Sequence, residues 1–418
     1  MIAPSSPQSP RVHAERPRVL YCTHRVPYPP DKGDRIRNFH VLRELAKISE
    51  VWLACLADEP VVPEQRQALE ALCSRVEILP VSRKLRWLRA AGTALTGKSL
   101  TQGAFHEPAL NALLKRWHAE APFHAALVSA SSLAPYLQRN GWQNTPGYVD
   151  LVDVDSQKWF DFAEAQRGPK KWLYQFEGAR LRKLEKSLTA WAQGITLVSR
   201  AETEVYNSFT HPEAATTATN GVDLDYFQPD ASVPERKACA FVGALDYLPN
   251  IDAAIWFAHD IWPSILAIHP DAEFHVIGRK PTADVLKLKA KLGVKVIGQV
   301  PDVRPHVLAA SVAVAPIRLA RGLQNKVLEA LALGKPTVAA PAAIAALNVE
   351  IGKDLLCPRT PQEWIEAVTG LFENAERRAE LGRAGRVFAE THHHWDASLR
   401  PLMEMIMSSG RKSTEVLT

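Results

Sequence analysis

Short runs of apolar and β-branched residues alternate with longer stretches of helical periodicity along almost the whole chain. In the first half the runs fall near Arg18–Cys22, Val51–Leu56, Val76–Leu79, Ala125–Val128, Tyr148–Val152 and Ile195–Val198. In the second half they fall near Ala240–Val242, Glu273–Ile277, Lys295–Ile297, Val312–Ala315, Pro336–Ala339 and Leu355–Cys357. Between two of them Ile255, Ala258, Ile261, Trp262 and Ile265 recur at helical spacing. Strands that alternate with helices of this length predict parallel sheets covered on both faces. Two sets of about six strands are more than one open sheet comfortably holds, and 418 residues suffice for two or three domains. The prediction is an α/β chain of two doubly wound, Rossmann-like domains.

The boundary is expected near His211 to Pro229. Thr216–Thr219 reads as a short strand, Asn220-Gly221 is a strong turn dipeptide, and a polar linker from Asp230 to Lys237 follows. This gives a disordered Pro- and Ser-rich tail over 1–17, one domain over 18–215 and a second over 216–394. The last helical stretch, 395–410, is expected to cross back onto the first domain.

Composition narrows the function classes. The chain is 46% hydrophobic and 23% charged, as soluble globular proteins are. A net charge of +5 falls well short of a nucleic-acid binder's basic density. Five scattered cysteines with no Cys-x-x-Cys suggest neither a disulfide framework nor a zinc site, and fit a reducing cytoplasm. No uninterrupted apolar run is read as reaching transmembrane length, and the most apolar stretch, Ala330 to Leu347, is broken by Lys335, Pro336 and Pro341. The 1–17 tail has no apolar core and does not read as a signal peptide. Membrane contact is therefore expected to be peripheral only.

The segment from Pro316 to Ala330 carries the chemistry. The strand Val312–Ala315 ends at a proline, a short loop with one glycine follows, and a helix opens with Asn325, Lys326 and Glu329 in its first turns. Unpaired N–H groups and the positive dipole end suit an anion there. Lys326 and Glu329 share a helix face. Such a pair suits a nucleotide diphosphate and its ribose hydroxyls, or is simply a surface ion pair.

Asn220-Gly221-Val222-Asp223, with Phe227 and Pro229 behind it, resembles the hinge motif of family 4 glycosyltransferases. Phe241-Val242-Gly243 with Pro249-Asn250, Val276-Ile277-Gly278, Val296-Ile297-Gly298, Pro301-Asp302, Val314-Ala315-Pro316, Lys326 to Ala330 and Gly334-Lys335-Pro336 follow in that family's order. The resemblance implies the GT-B arrangement, two facing Rossmann-like domains with a nucleotide-sugar donor held mainly by the second. The first domain then takes the acceptor side. Tyr21 to Arg37 and Asp150 to Trp159 look like signatures of bacterial sugar transferases of exopolysaccharide clusters, including those of exosortase systems.

On that resemblance Lys326, Arg318 and the N–H groups near Gly322 to Asn325 stabilise the leaving diphosphate. Glu329 accepts the ribose hydroxyls. Gly33 and Gly243 let backbone approach a ligand, and Asp153, with Asp155, binds sugar hydroxyls or takes the acceptor's proton. Asp155 or Ser156 capping a helix is an equal reading. Arg321 stands where many relatives carry a carboxylate, which suggests a sugar bearing an acid group. The basic pair that many relatives carry after Gly243 is missing. No metal or permanently bound cofactor is expected, and His392-His393-His394 reads as a solvated helix start.

Arg83 to Lys98 holds five basic residues and no acid, with Trp87 and Leu88 among them, and Lys170 to Lys186 repeats the character. The pattern suggests docking to an anionic membrane at the inner face of the plasma membrane. The expected activity is sugar transfer from a nucleotide diphosphate to a lipid-linked oligosaccharide, with retention at the anomeric carbon. Two other readings stay open, a nucleotide-sugar 2-epimerase and a non-catalytic sugar-binding partner. No Gly-x-Gly-x-x-Gly follows a strand, which disfavours a dinucleotide oxidoreductase.

Overall fold

The computed structural model describes residues 16–414 apart from 32, 95, 140, 165 and 320–322. The tail expected over 1–17 lies almost wholly outside the described residues.

Two parallel sheets form. The first contains β1 (Arg18–Thr23), β2 (Glu50–Ala57), β3 (Arg75–Pro80), β4 (Ala125–Ser129), β5 (Gly147–Val152), β6 (Gly194–Leu197) and β7 (Thr216–Thr217), in the order β3-β2-β1-β4-β5-β6-β7. The second contains β8 (Arg236–Val242), β9 (Glu273–Ile277), β10 (Val294–Gly298), β11 (Ala310–Ala315) and β12 (Thr337–Ala339), in the order β10-β9-β8-β11-β12. The central strands are buried on both faces, so they read as continuous apolar runs rather than alternating ones.

Two expected strands need correction. Thr216–Thr217 pairs with β6 and so belongs to the first sheet, just past residue 215. Leu355–Cys357 makes only isolated bridges, Leu356 to Val338 and Leu355 to Ile351, because so short an apolar run can touch a sheet edge without continuing its ladder.

The apolar stretch Leu248–Ile268 is longer than the sequence reading allowed and by length and composition could cross a membrane. Here Phe257, Ile261, Trp262 and Ile265 bury it in the core of the second half. Its turn Phe257–Ile261 widens to π geometry just before Pro263, which has no N–H to continue the ladder.

The last helix, Trp395–Thr414, returns to the first half. Trp395, Leu399, Leu402 and Ile406 join a core with Val19, Tyr21, Val41 and Tyr148. His40 stacks on Trp395 at 4.1 Å between ring centroids, and the Tyr148 hydroxyl donates to Met405 O at 2.8 Å.

Candidate functional site

In each sheet the chain runs outward from one strand and later returns on that strand's other side. The reversal falls between β1 and β4 in the first sheet and between β8 and β11 in the second. Open α/β sheets bind ligands beyond the carboxyl ends of strands at such points.

The crevice of the second sheet is walled by the turn after β8 and by the helix Asn325–Ala332 after β11. Gly243 ends β8 against Asn250, since a Cβ there would stand 2.8 Å from the Asn250 side chain. Asn250 is fixed by donating to Ala244 O at 2.9 Å. Its oxygen accepts the Lys326 ammonium, which also lies 5.2 Å from the Phe241 ring centroid. Burial pushes the Lys326 pKa down, with the Glu329 charge pulling the other way. Burial pushes the Glu329 pKa up, against the Lys326 charge. The enclosed space beside the two residues is about 20 Å³, room for one water, so a larger ligand must approach from the open side.

The sequence-predicted residues of this half are not all gathered there. Asn325 opens the helix and accepts a hydrogen bond from Asn220 at 3.0 Å. Arg318 is drawn to Asp252, with donor distances of 3.1 and 2.7 Å, and lies 4.9 Å from the Trp256 ring centroid. Arg318 thus forms an ion pair at the strand end, and nothing along the chain points to its partner 66 residues away. Arg321 and Gly322 lie outside the described residues.

Across from it, the carboxyl edge of the first sheet carries charge. Gly33 opens the helix Gly33–Ile48 with open space around it, so nothing steric demands a glycine there. The next residue, Asp34, meets Arg25 at 2.8 Å and His24 at 3.4 Å. Burial alone would raise the Asp34 pKa, but the hydrogen bond and charge of His24, followed by those of Arg25, hold it well below the usual carboxylate range.

β5 ends with Val152 at φ 68°, a conformation costly for a β-branched residue and often found at functional sites. It turns Asp153 so that Oδ2 lies 3.6 Å from Lys158 Nζ, while Oδ1 is buried without a partner. Lys158 also lies 3.8 Å from Asp155. Burial works against the Lys158 charge, but Asp153 and then Asp155 hold its pKa above the ordinary lysine range, and Tyr247 of the second half contributes to the same field. Lys158 thus pairs with both carboxylates that follow β5, a role that its sequence position among Gln157 and Trp159 did not reveal.

The helix Asp155–Glu164 is not capped by its own Asp155 or Ser156. Glu202 accepts from Val154 N at 2.7 Å and Glu185 from Ser156 N at 2.9 Å, both reaching in from other helices. Asp155 instead accepts from Ser131 Oγ at 3.1 Å.

Between the halves sits a polar relay. The fully buried Arg37 makes a bidentate pair with the equally buried Asp150, at 2.7 and 2.8 Å. It also donates to Asn220 Oδ1 at 2.9 Å and to Thr219 O at 3.3 Å. His393 completes the crossing, with its Nδ1 3.0 Å from Asn220 O. The triple-histidine tract is a solvated helix start only in part: His392 ends one helix and His394, just before the next, is exposed, but His393 is buried at the crossing, its pKa lowered chiefly by burial. Among the described residues no group of three or more His, Cys, Asp or Glu is placed to hold a metal.

Comparison with known proteins agrees with this geometry. Residues 236–374 match the family model described as "Glycosyl transferases group 1". No curated protein matches the sequence. Among solved structures, Anabaena HepE in complex with UDP and glucose is similar at TM-score 0.67 and 14% identity, covering 94% of this chain and 100% of that one. TarM of S. aureus gives 0.68 at 10% identity, covering 93% and 98%. The sucrose-phosphate synthase of Thermosynechococcus elongatus gives 0.63 at 15%, covering 96% and 99%. Identities this low establish the fold. Residues 236–374, which hold the whole second sheet and the Asn325–Ala332 helix, thus match the group 1 glycosyl transferases, and the chain as a whole has the GT-B fold.

Proposed function

We propose that this protein is a family 4-like glycosyltransferase that moves a sugar from a nucleotide diphosphate to a lipid-linked oligosaccharide, with retention, in exopolysaccharide synthesis. The observation that carries the reading is Lys326, on the helix that opens at the β8–β11 reversal, inside the segment that matches the group 1 family. A half-desolvated ammonium at a helix N-terminus stabilises the negative charge that grows on a departing diphosphate. Glu329, one turn on, suits the ribose hydroxyls. The half built on the second sheet takes the donor, and that built on the first sheet presents the acceptor, with Asp153 toward its sugar hydroxyls.

HepE and TarM are both seen with UDP, which supports a nucleotide donor of that kind. Peripheral membrane docking rests on Trp87, Leu88 and Trp172, which are 74%, 69% and 75% exposed on two basic helices.

The test is thermal shift with UDP, GDP and their sugar conjugates, with Lys326→Ala and Glu329→Ala alongside. A ligand that binds only the folded state raises Tm. A shift with one nucleotide that both variants abolish supports the reading. No shift with any, in a folded sample, overturns it in favour of the non-catalytic partner, for which the tie of Arg318 to Asp252 already speaks.

A further inference from the structure

A second cavity, of about 320 Å³, opens in the first half between the helix Arg83–Ala94, the short helix Leu100–Ala104 and the 3-10 turn Ser131–Tyr136. These elements follow the carboxyl ends of β3 and β4, so the cavity lies on the ligand-binding edge of the first sheet. Its walls are closely fitted: a Cβ on Gly103 would stand 2.2 Å from Thr93 Oγ1 and 2.7 Å from Arg89 O.

Its lining is basic. Arg89, Lys98, His106, Tyr136 and Arg139 face it, with Thr93 between them. Glu107 engages Arg89, which also donates to His106 O at 3.0 Å. Among the described residues neither Lys98 nor Arg139 is in an ion pair, so two cations are left uncompensated. Their field is felt at His106, whose pKa falls through burial and then through Arg139, Arg89 and Lys98. The N-terminus of the short helix is not the source of this preference. Glu177 already accepts from Leu100 N at 2.7 Å and Thr101 N at 2.8 Å.

An apolar surface adjoins the mouth. Leu85, Leu88 and Gly92 follow one another at i, i+3 and i+7 on the helix that supplies Arg89 and Thr93. Leu85 and Leu88, with Trp87 beside them, are 48%, 69% and 74% exposed. A charged pocket continuous with exposed apolar area fits a ligand that has both characters.

We propose that this cavity binds the phosphate or diphosphate group of an amphiphile, with the apolar chain running out over Leu88 and Trp87. The assignment names the group that anchors the acceptor, and to that extent it rests on the transferase reading. Binding itself does not require transfer.

The experiment is calorimetric titration of the full chain with geranyl diphosphate and with inorganic diphosphate, and with UDP in parallel. Lys98→Gln/Arg139→Gln is expected to weaken geranyl diphosphate at least ten-fold while UDP affinity holds. Trp87→Ser/Leu88→Ser is expected to weaken geranyl diphosphate several-fold and leave inorganic diphosphate unchanged. All four side chains are exposed or at the cavity, so both variants should keep the parent Tm, which is checked first. Geranyl diphosphate that fails to bind, or that binds regardless of Lys98 and Arg139, overturns the proposal. So does equal affinity for the two diphosphates with no response to the apolar change, which would mark a site for the free anion. Failure of UDP to bind the parent chain overturns the donor reading alone.

Discussion

The side-chain amide of Asn220 donates to Asn325 Oδ1 at 3.0 Å, which ties the link between the two sheets to the first residue of the helix that bears Lys326 and Glu329. On the other side the Asn220 oxygen accepts from Arg37 at 2.9 Å, and Arg37 is held by Asp150. The helix proposed to hold the donor is therefore positioned partly by the opposite half. Replacing Asn325 by Ala removes one partly buried hydrogen bond, a cost of about 0.5–1.5 kcal/mol. The expected result is a small fall in Tm with a several-fold loss of UDP affinity by calorimetry. An affinity equal to that of the parent would show that the relay does not position the helix.

Arg37→Ala strands the Asp150 carboxylate in a site where neither partner exposes surface. Breaking one side of such a pair costs about 3–5 kcal/mol. The double change Arg37→Ala/Asp150→Ala removes the orphaned charge and is expected to cost clearly less than the two single losses added together. Urea denaturation of the three variants measures this coupling.

Lys326 gives a pH signature to donor binding. Burial lowers its pKa, so the ammonium loses its proton below the ~10.4 of an ordinary lysine. Affinity for UDP should fall as pH rises through the mildly alkaline range, because the neutral amine does not attract the diphosphate. Lys326→Arg stays charged and should flatten the profile. A parent profile flat to pH 10 would show that the lysine is not the group that meets the phosphates.

His40 governs stability in acid. Burial, followed by the nearby Arg43 charge, lowers its pKa to about 3 while it lies stacked on Trp395. The unfolded chain titrates this histidine near ~6.5, so between those values the unfolded state binds the extra proton. Stability is then full above the unfolded pKa and declines as pH falls toward the folded one. His40→Phe keeps a ring against Trp395 and removes that decline. Chemical denaturation at pH 7, 5 and 4 compares the two slopes.

Two glycines at carboxyl ends of the second sheet should respond differently to alanine. Gly278 has φ 154°, and a Cβ there would stand 1.7 Å from Gly243 O, so the turn after β8 would have to move. Gly298, at φ 82°, has nothing within 4 Å of that position. Gly298→Ala should cost only the backbone strain of about 1–2 kcal/mol. Gly278→Ala should cost more and should also weaken UDP binding, because Gly243 carries the turn that holds Asn250. Equal losses of Tm would contradict this account.

Much of the architecture was legible because parallel strands buried on both faces are mostly apolar, as Val312–Ala315 and Ala125–Val128 are throughout. The turn at Asn220-Gly221 was legible for the same local reason. What the turn touches was not: Asn325 is 105 residues away, and nothing along the chain predicts that pairing. Asp252 captures Arg318, and Glu185 and Glu202 cap a helix they do not belong to; each depends on how separate elements dock. His393 misled because three adjacent histidines look hydrophilic, whereas one of them fills a buried corner beside Asn220. The place of Asp153 at a strand end is legible in the sequence, but the strain at Val152 that turns it shows only in the backbone.

The chain passes between its two halves twice, once after β7 and once between His392 and Trp395, and these passages lie side by side, with Val222 N donating to His393 O at 2.7 Å. A single tether would let one body swivel freely about it. Two tethers clasped together leave one easy motion, a swing about the short line they share, like a book opening on its spine. The carboxyl edges of the two sheets can then approach or part, while the clasp resists their twisting past one another.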